Sequence, residues 1–170
     1  MSFFQDIKAV KRADPAVRYG LEVLFFYPGM WAIWFYRFCH FLWKIHLKFI
    51  SRLIMTIIRW LTGVEIHPGA MIGKRFVIDH GMGVVIGETA IIGDDCMMYH
   101  GVTLGGRGHS KEGRRHPKLG DNVVIGAGAS ILGPVTICKG AKIGAGAVVL
   151  NDVFEDETYV GQKARSVITK

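Results

Sequence analysis

A six-residue period organises the middle of the chain and constrains its fold more than any other feature of the sequence. Apolar residues recur at every sixth position from Ile66 to Val102, and the period resumes from Leu119 to Val149. An amphipathic helix repeats about every 3.6 residues and a half-buried strand about every 2, so neither explains this spacing. A parallel β-helix does, because each hexapeptide forms one short strand and one corner, and three hexapeptides close a triangular coil. The positions on the period are Ile66, Ile72, Ile78, Val84, Ala90, Cys96, Val102, Leu119, Ile125, Ile131, Ile137, Ile143 and Val149.

A period that never slips predicts that residues eighteen apart lie directly above one another in successive coils. The segments 126–128 and 144–146, both Gly-Ala-Gly, then stack as a strip of small side chains against which the extended arm of a cofactor can lie. We therefore expect Ala127 and Ala145 to bind the cofactor.

The same stacking rule predicts a contact between Glu65 and His80. Gly83 is eighteen residues beyond Glu65, and His80 is only three residues from Gly83. We therefore expect the two side chains to meet at one corner.

The sequence divides into three predicted regions. Residues 1–63 form a helical module, in which Asp14 and Pro15 are expected to begin a helix. Its last helix carries an apolar stripe and ends at Gly63, and the module is expected to pack on itself or on another subunit. Residues 64–153 form the β-helix, with about eleven residues extruded as a loop at about 105–115, and residues 154–170 form a tail. The apolar stripe consists of Ile50, Leu53, Ile54, Ile57, Ile58 and Leu61.

Composition and charge narrow the class of ligand. The net charge of +7 predicts an anionic partner, and the basic residues are densest in the loop Arg107 to Lys118. This placement favours a small phosphorylated ligand over nucleic acid, with Gly106 and Arg107 beside its phosphates. Three cysteines without metal-type spacing favour a reducing cytoplasm. The longest uncharged stretch, 23–36, is interrupted by Pro28 and is too short for a transmembrane helix.

Six motifs resemble those of one enzyme family. They are DPAV at 14–17, EIHPGAMIG at 65–73, IDHGMGVVIGET at 78–89, GVTLGG at 101–106, RHPK at 115–118 and IGAG at 125 and 143. Together they are similar to the serine O-acetyltransferases of the hexapeptide-repeat acyltransferase superfamily, in a short form without the long N-terminal extension. The resemblance implies a left-handed parallel β-helix that assembles as a homotrimer, or as a dimer of trimers, with each active site between subunits.

The resemblance also implies roles for individual residues. It makes His80 the general base, a task for which a neutral imidazole is well matched. Glu65 would orient that imidazole, Asp14 and Asp79 would hold the ammonium group of L-serine, and Arg115, with His116 beside it, would hold the carboxylate. Acetyl-CoA is the implied co-substrate, cysteine the implied inhibitor, and no metal is expected.

Three alternatives stay open at this stage. A sugar or xenobiotic O-acetyltransferase has the same fold, and a non-enzymatic scaffold would leave the motifs unexplained. A zinc site like that of β-helical carbonic anhydrases would use His67, His80, His100 and His116. The eighteen-residue rule argues against this site, because it places His67 below Val85 and His100 below Lys118.

A last expectation concerns the C-terminus. Members of the family bind O-acetylserine sulfhydrylase through a terminal isoleucine, whereas this sequence ends in Lys170. Burying its ammonium group is unfavourable, so we expect no such complex through this terminus.

Overall fold

The computed structural model describes residues 3–108 and 113–162. The expectation about the C-terminal Lys170 and part of the extruded loop, including Lys111, lie outside the described residues. Within those ranges, no helix combines the length and the apolar character that crossing a bilayer requires.

In the described part of the chain, four helices precede the β-helix. They are Phe3–Ala13 (α1), Gly20–Phe26 (α2), Pro28–Lys44 (α3) and Lys48–Thr62 (α4). Pro28 occupies the first turn of α3, where its missing N–H costs nothing, and Gly63 ends α4 in the left-handed conformation with φ of 71°. A buried ion pair at 2.5 Å between Arg37 of α3 and Asp6 of α1 ties the first helix to the third.

One expectation for the helical module is wrong. Asp14 and Pro15 do not begin a helix: Asp14 ends α1 in a tight turn, and its Oδ1 accepts a hydrogen bond of 2.8 Å from the Ala16 N–H. The face of α4 that packs within the chain is not the predicted stripe, which leaves packing on another subunit as the expectation for the stripe. The helix buries Ser51, Met55, Ile58 and Thr62, and it leaves most of the stripe in solvent. The exposed apolar side chains of α4 are Phe49, Ile50, Leu53, Ile57, Trp60 and Leu61.

Fourteen short parallel strands within the described ranges form the three faces of a triangular β-helix. The first face has the order β1-β4-β7-β10-β13, the second β11-β8-β5-β2 and the third β14-β12-β9-β6-β3. β14 lies in the segment that the sequence assigns to the tail, and it continues the third face by pairing with β12. The strands are Glu65–Ile66 (β1), Met71–Ile72 (β2), Val77–Ile78 (β3), Val85–Ile86 (β4), Ile91–Ile92 (β5), Met97–Met98 (β6), Thr103–Gly105 (β7), Lys118–Leu119 (β8), Val124–Ile125 (β9), Ser130–Leu132 (β10), Thr136–Ile137 (β11), Lys142–Ile143 (β12), Val148–Val149 (β13) and Thr158–Tyr159 (β14).

The period slips once, so the eighteen-residue rule is wrong for the first coil. Glu65 pairs with Val85, twenty residues on, whereas Val85 pairs with Thr103 at the expected eighteen. Two extra residues therefore enter the corner between β3 and β4, which is the corner that carries His80.

The extruded loop is also shorter than predicted. Thr103 pairs with Ser130, twenty-seven residues on, which makes the loop nine residues longer than an ordinary corner rather than eleven. Later coils keep the eighteen-residue spacing, as in the pair Val124 and Lys142, so the stacking of the two Gly-Ala-Gly segments is correct.

The core of the β-helix is a column of apolar side chains enclosed by the three faces. Most hexads contribute a large strand residue, such as Ile86, and a smaller residue two positions earlier, such as Val84, both 1% exposed. α3 closes against this column, since its Tyr36 is buried and its hydroxyl donates a hydrogen bond of 2.5 Å to the Ala70 carbonyl. The helical module is thereby fixed to the first coil.

Candidate active site

The enlarged corner between β3 and β4 presents His80 to solvent. The His80 side chain is 72% exposed, and its backbone adopts the left-handed region with φ of 60°. Histidine is among the residues that enter this region more readily than most, although the conformation is strained and persists only where the surroundings impose it. Gly81, with φ of 83°, continues the same sharp turn. The two extra residues therefore turn the imidazole away from the core.

An acidic cluster surrounds this imidazole. Asp79 Oδ2 lies 3.8 Å from His80 Nε2. The Asp14 carboxylate is close enough to interact electrostatically with His80, and the Tyr27 hydroxyl donates a hydrogen bond to Asp14 Oδ2. This hydrogen bond, followed by that from the Ala16 N–H, lowers the pKa of Asp14. Burial, and then the bond to Asp14, raises the pKa of Tyr27. Two carboxylates, a neutral phenol and an imidazole thus share one corner.

A close backbone contact sets the position of this cluster. A Cβ on Gly29, in the first turn of α3, would lie 2.3 Å from the Ile78 carbonyl oxygen, so only glycine allows the helix to approach β3 this closely. Tyr27 immediately precedes this helix, and Asp79 immediately follows Ile78. The contact therefore brings Tyr27 and Asp14 to the corner that carries His80.

Glu65 has a different partner from the one predicted. Its register neighbour is Val85 rather than Gly83, and its Oε2 forms an ion pair of 2.9 Å with Arg59. Among residues 3–108 and 113–162, no hydrogen bond or ion pair joins Glu65 to His80. The role of Glu65 as an orienting residue stays a prediction.

His100 belongs to the His80 corner, contrary to the stacking argument. The two imidazole rings lie edge to face with centroids 5.7 Å apart. The slip of two residues places His100 one coil above His80, and the extruded loop places Ala127 rather than Lys118 above His100. No set of three or more His, Cys, Asp or Glu side chains in the described part of the chain is placed to hold a metal ion.

A second corner, between the first and second faces, carries Arg115 and His116. Arg115 lies 3.4 Å from Glu88 Oε2 and is exposed, whereas His116 is only 6% exposed. Thr89 Oγ1 accepts hydrogen bonds from the backbone N–H groups of Arg115 at 3.0 Å and of His116 at 3.2 Å, and it lies 2.8 Å from His116 Nδ1. Burial, and then the Arg115 guanidinium, lowers the pKa of His116.

Arg114 fixes the return of the extruded loop, a role that no sequence motif indicates. Its guanidinium donates to the carbonyl oxygens of His116 at 2.9 Å, Val135 at 3.0 Å and Pro134 at 2.6 Å. Five donors in a planar fork suit this set of acceptors. Arg114 and Thr89 therefore hold the backbone of Arg115 and His116 from two sides.

His67 is a neutral imidazole at the same corner. Burial lowers its pKa to about 4, and the nearby Arg52, Arg115 and His116 add to this effect. Its Nε2 lies 2.8 Å from Arg52 Nη1, and its Nδ1 accepts from the Gly69 N–H at 3.0 Å. Both ring nitrogens are therefore engaged within the chain.

The predicted cofactor residues divide between the two corners. Ala127 and Ala145 lie on the His80 corner in the later coils, and a Cβ on the neighbouring Gly128 or Gly146 would meet nothing within 4 Å. Gly106 and Arg107 lie at the second corner, where a Cβ on Gly106 would be 3.5 Å from the Arg115 carbonyl oxygen. The structure thus places an open strip at one corner and the basic loop at the other.

The two corners are the two ends of the first face, so one chain does not bring all the predicted residues together. About four residues of strand separate them, which at about 3.3 Å each is roughly 13 Å. Asp14, Asp79 and His80 lie at one end, and Arg115 and His116 at the other.

Comparison with known proteins identifies the family. Residues 116–151 match the model of the bacterial transferase hexapeptide (six repeats). The chain is 54% identical to the serine acetyltransferase of Synechococcus elongatus over 95% of its length and 53% identical to that of Helicobacter pylori over 95%. It spans 66% of the first relative and 94% of the second.

Solved structures agree. Serine acetyltransferase isoform 3 of Entamoeba histolytica, in complex with cysteine, superposes with a TM-score of 0.93 at 43% identity, covering 98% of this chain and 59% of that one. The Neisseria gonorrhoeae serine acetyltransferase in complex with serine gives a TM-score of 0.89 at 42% identity, covering 96% and 66%. These neighbours confirm the left-handed β-helix. The chain therefore belongs to the serine acetyltransferase family.

Proposed function

We propose that the chain transfers the acetyl group of acetyl-CoA to the hydroxyl of L-serine, giving O-acetylserine for cysteine biosynthesis, and that cysteine inhibits it at the same site. The observation that carries the proposal is the cluster of Asp14, Asp79 and His80 at an open corner, in a chain whose relatives are serine acetyltransferases. Paired carboxylates suit an ammonium group, and the exposed imidazole suits a hydroxyl.

In this mechanism His80 acts as general base. The serine oxygen attacks the thioester carbon while His80 takes the hydroxyl proton, and the carbonyl electron pair moves to oxygen. The tetrahedral intermediate then re-forms its carbonyl, the carbon–sulfur bond breaks, and the thiolate of coenzyme A takes the proton back from His80. The Asp79 carboxylate, 3.8 Å from His80 Nε2, lies beside the imidazolium that forms between these steps.

The carboxylate of serine requires a cation, and Arg115 is suited to bind it in bidentate fashion. Serine is too short to span roughly 13 Å between the two corners of one chain. We therefore assign Arg115 and His116 to a neighbouring subunit of a homotrimer, whose corner would face His80. The exposed apolar stripe of α4 supports an assembly, because a large apolar surface on a soluble chain usually marks an interface.

Thiol release from acetyl-CoA, measured with serine, sugars and aminoglycosides as acceptors, tests the reaction. Turnover with serine is expected, and a preference for a sugar would instead support a sugar or xenobiotic O-acetyltransferase. Replacing the base, His80→Ala, should lower turnover by about 10²–10⁴-fold with the assembly intact in light scattering. Unchanged turnover would remove His80 from the mechanism.

Complementation tests the shared site. The variants His80→Ala and Arg115→Ala are each expected to be inactive, but co-expressed mixed trimers contain some interfaces at which both residues are intact. For random mixing in a cyclic trimer about one quarter of the sites would be intact, so about a quarter of wild-type activity should return. If both residues act within one subunit, mixing restores nothing.

A further inference from the structure

We propose that His100 is a second catalytic side chain of this site: its imidazole N–H holds the carbonyl oxygen of the acetyl group and the negative charge that develops there during attack. This role rests on the proposed acetyl transfer. No residue assigned so far supplies a donor for that oxygen.

The first observation is the position of His100 relative to His80. The rings are edge to face with centroids 5.7 Å apart, and both side chains are exposed. They project from the same corner in successive coils, which are separated by about 4.8 Å. A carbonyl carbon attacked beside His80 therefore has its oxygen within reach of a group one coil away.

The second observation is the order of residues along the corner. The His100 carbonyl accepts from the Gly128 N–H at 2.9 Å, and the Ala127 carbonyl accepts from the Gly146 N–H at 2.8 Å. The corner therefore runs from His80 through His100 to Ala127 and Ala145. A donor molecule lying on the open strip of alanines and glycines meets His100 before it meets His80, so His100 lies beside the thioester.

The third argument is chemical. A neutral imidazole always carries one N–H, which it can donate without losing its proton. In the proposed step His80 alone gains and returns a proton, while His100 only donates a hydrogen bond that strengthens as charge moves to the carbonyl oxygen. Donors aimed at this oxygen are typically worth about 10²–10³-fold in kcat.

Matched variants separate this role from simple packing. His100→Gln keeps an N–H donor but loses the ring, whereas His100→Phe keeps the ring against His80 but loses the donor. We expect His100→Phe and His100→Ala to lower kcat by about 10²–10³-fold, and His100→Gln to stay within about ten-fold of the wild type. Serine affinity, measured by calorimetry without acetyl-CoA, should be unchanged in all three, as should the melting temperature.

Wild-type-like turnover of His100→Phe would overturn the proposal, and so would a Gln variant as slow as the Ala variant. The slow hydrolysis of acetyl-CoA without serine provides a second readout. The hydrolysis rate should rank the variants in the same order as kcat. This readout does not depend on the identity of the natural acceptor. If the wild-type enzyme does not acetylate serine but this ranking holds, the proposed substrate fails while the role of His100 stands; if the ranking fails, His100 has no such role.

Discussion

Adding one methyl group at Gly87 should displace His116 and disable the second corner without touching any charged group. A Cβ at this position would lie 2.0 Å from His116 Cδ2 and 2.1 Å from Nε2, whereas ordinary contacts begin near 3.4 Å. The ring must therefore move by about 1.4 Å, and displacements of about 1 Å at a reacting site can cost about 100-fold in rate. The Gly87 backbone is not in the left-handed region, so alanine itself is tolerated there. We expect Gly87→Ala to lower kcat/KM for serine by about 100-fold.

Gly106→Ala is the matched control for this experiment. Its methyl group would approach the same His116 ring from the loop, but at an ordinary contact distance of 3.5 Å from Nε2. Steady-state kinetics at varied serine and saturating acetyl-CoA should show a large loss for Gly87→Ala and little change in the serine KM for Gly106→Ala. Wild-type efficiency in Gly87→Ala would refute the reasoning, since it would mean that the position of His116 does not matter for the serine reaction. Equal losses in both variants would refute it as well.

Three further variants test the groups around the two corners. Tyr27→Phe removes the donor that lowers the pKa of Asp14; that pKa, followed by NMR titration of the carboxyl, should rise, and the serine KM should rise with it. His67 has a pKa of about 4 against an ordinary 6.5, so as the pH falls the unfolded chain takes up the His67 proton before the folded chain does. The free energy of unfolding should therefore fall between pH 6.5 and pH 4. The decrease should be less than about 3 kcal/mol, because the side chain is partly solvated. His67→Gln should flatten this part of the pH dependence in urea unfolding, and an unaltered slope would exclude His67 as its source. Arg114→Met removes three hydrogen bonds to carbonyl groups, so the Arg115 and His116 amides should exchange faster with deuterium, and protection equal to the wild type would contradict the clamp.

The hexapeptide period predicted the fold, but its phase was ambiguous for a physical reason. Most hexads direct two apolar residues inward, a large one in the strand and a smaller one two positions earlier. A period that is displaced by two residues therefore still falls on buried apolar residues. It marks Val84 instead of the strand residue Ile86, and Cys96 instead of Met98. Side-chain size carries the missing signal, because the residues on the period change from isoleucine to the smaller Val, Ala and Cys where the slip occurs.

The undetected slip explains the errors in the predicted site. His80, Asp79 and Asp14 were identified through their motifs, which do not depend on register. The expected contacts of Glu65 and the exclusion of His100 depended on the eighteen-residue rule, and both changed when the first coil proved to span twenty residues. The motifs therefore indicate which residues belong to the site, whereas the contacts between those residues depend on the register of the coils, which the period did not give correctly for the first coil.

Tyr27 and Arg114 show a second limit of the sequence. Tyr27 joins the site because Gly29 lets α3 approach Ile78, and Arg114 finds two of its three carbonyl acceptors twenty or more residues away along the chain. Neither residue lies at a motif position that would suggest its partner. These contacts arise from the packing of elements that are distant in sequence, which no local pattern specifies.

The conformation of His80 links the helical module to the chemistry of the β-helix. A left-handed backbone at a non-glycine residue is unfavourable and persists only where neighbouring contacts impose it. Here the constraint comes from two directions: the Gly83 N–H is held by the Gly63 carbonyl at 2.9 Å, at the end of α4, and α3 packs directly on the strand that leads into His80. The enlarged corner is therefore supported on both sides by helices rather than by the coil alone. A β-helix without this module would lose the contacts that hold the imidazole, Asp14 and Tyr27 at one corner, so the helices are part of the proposed active site.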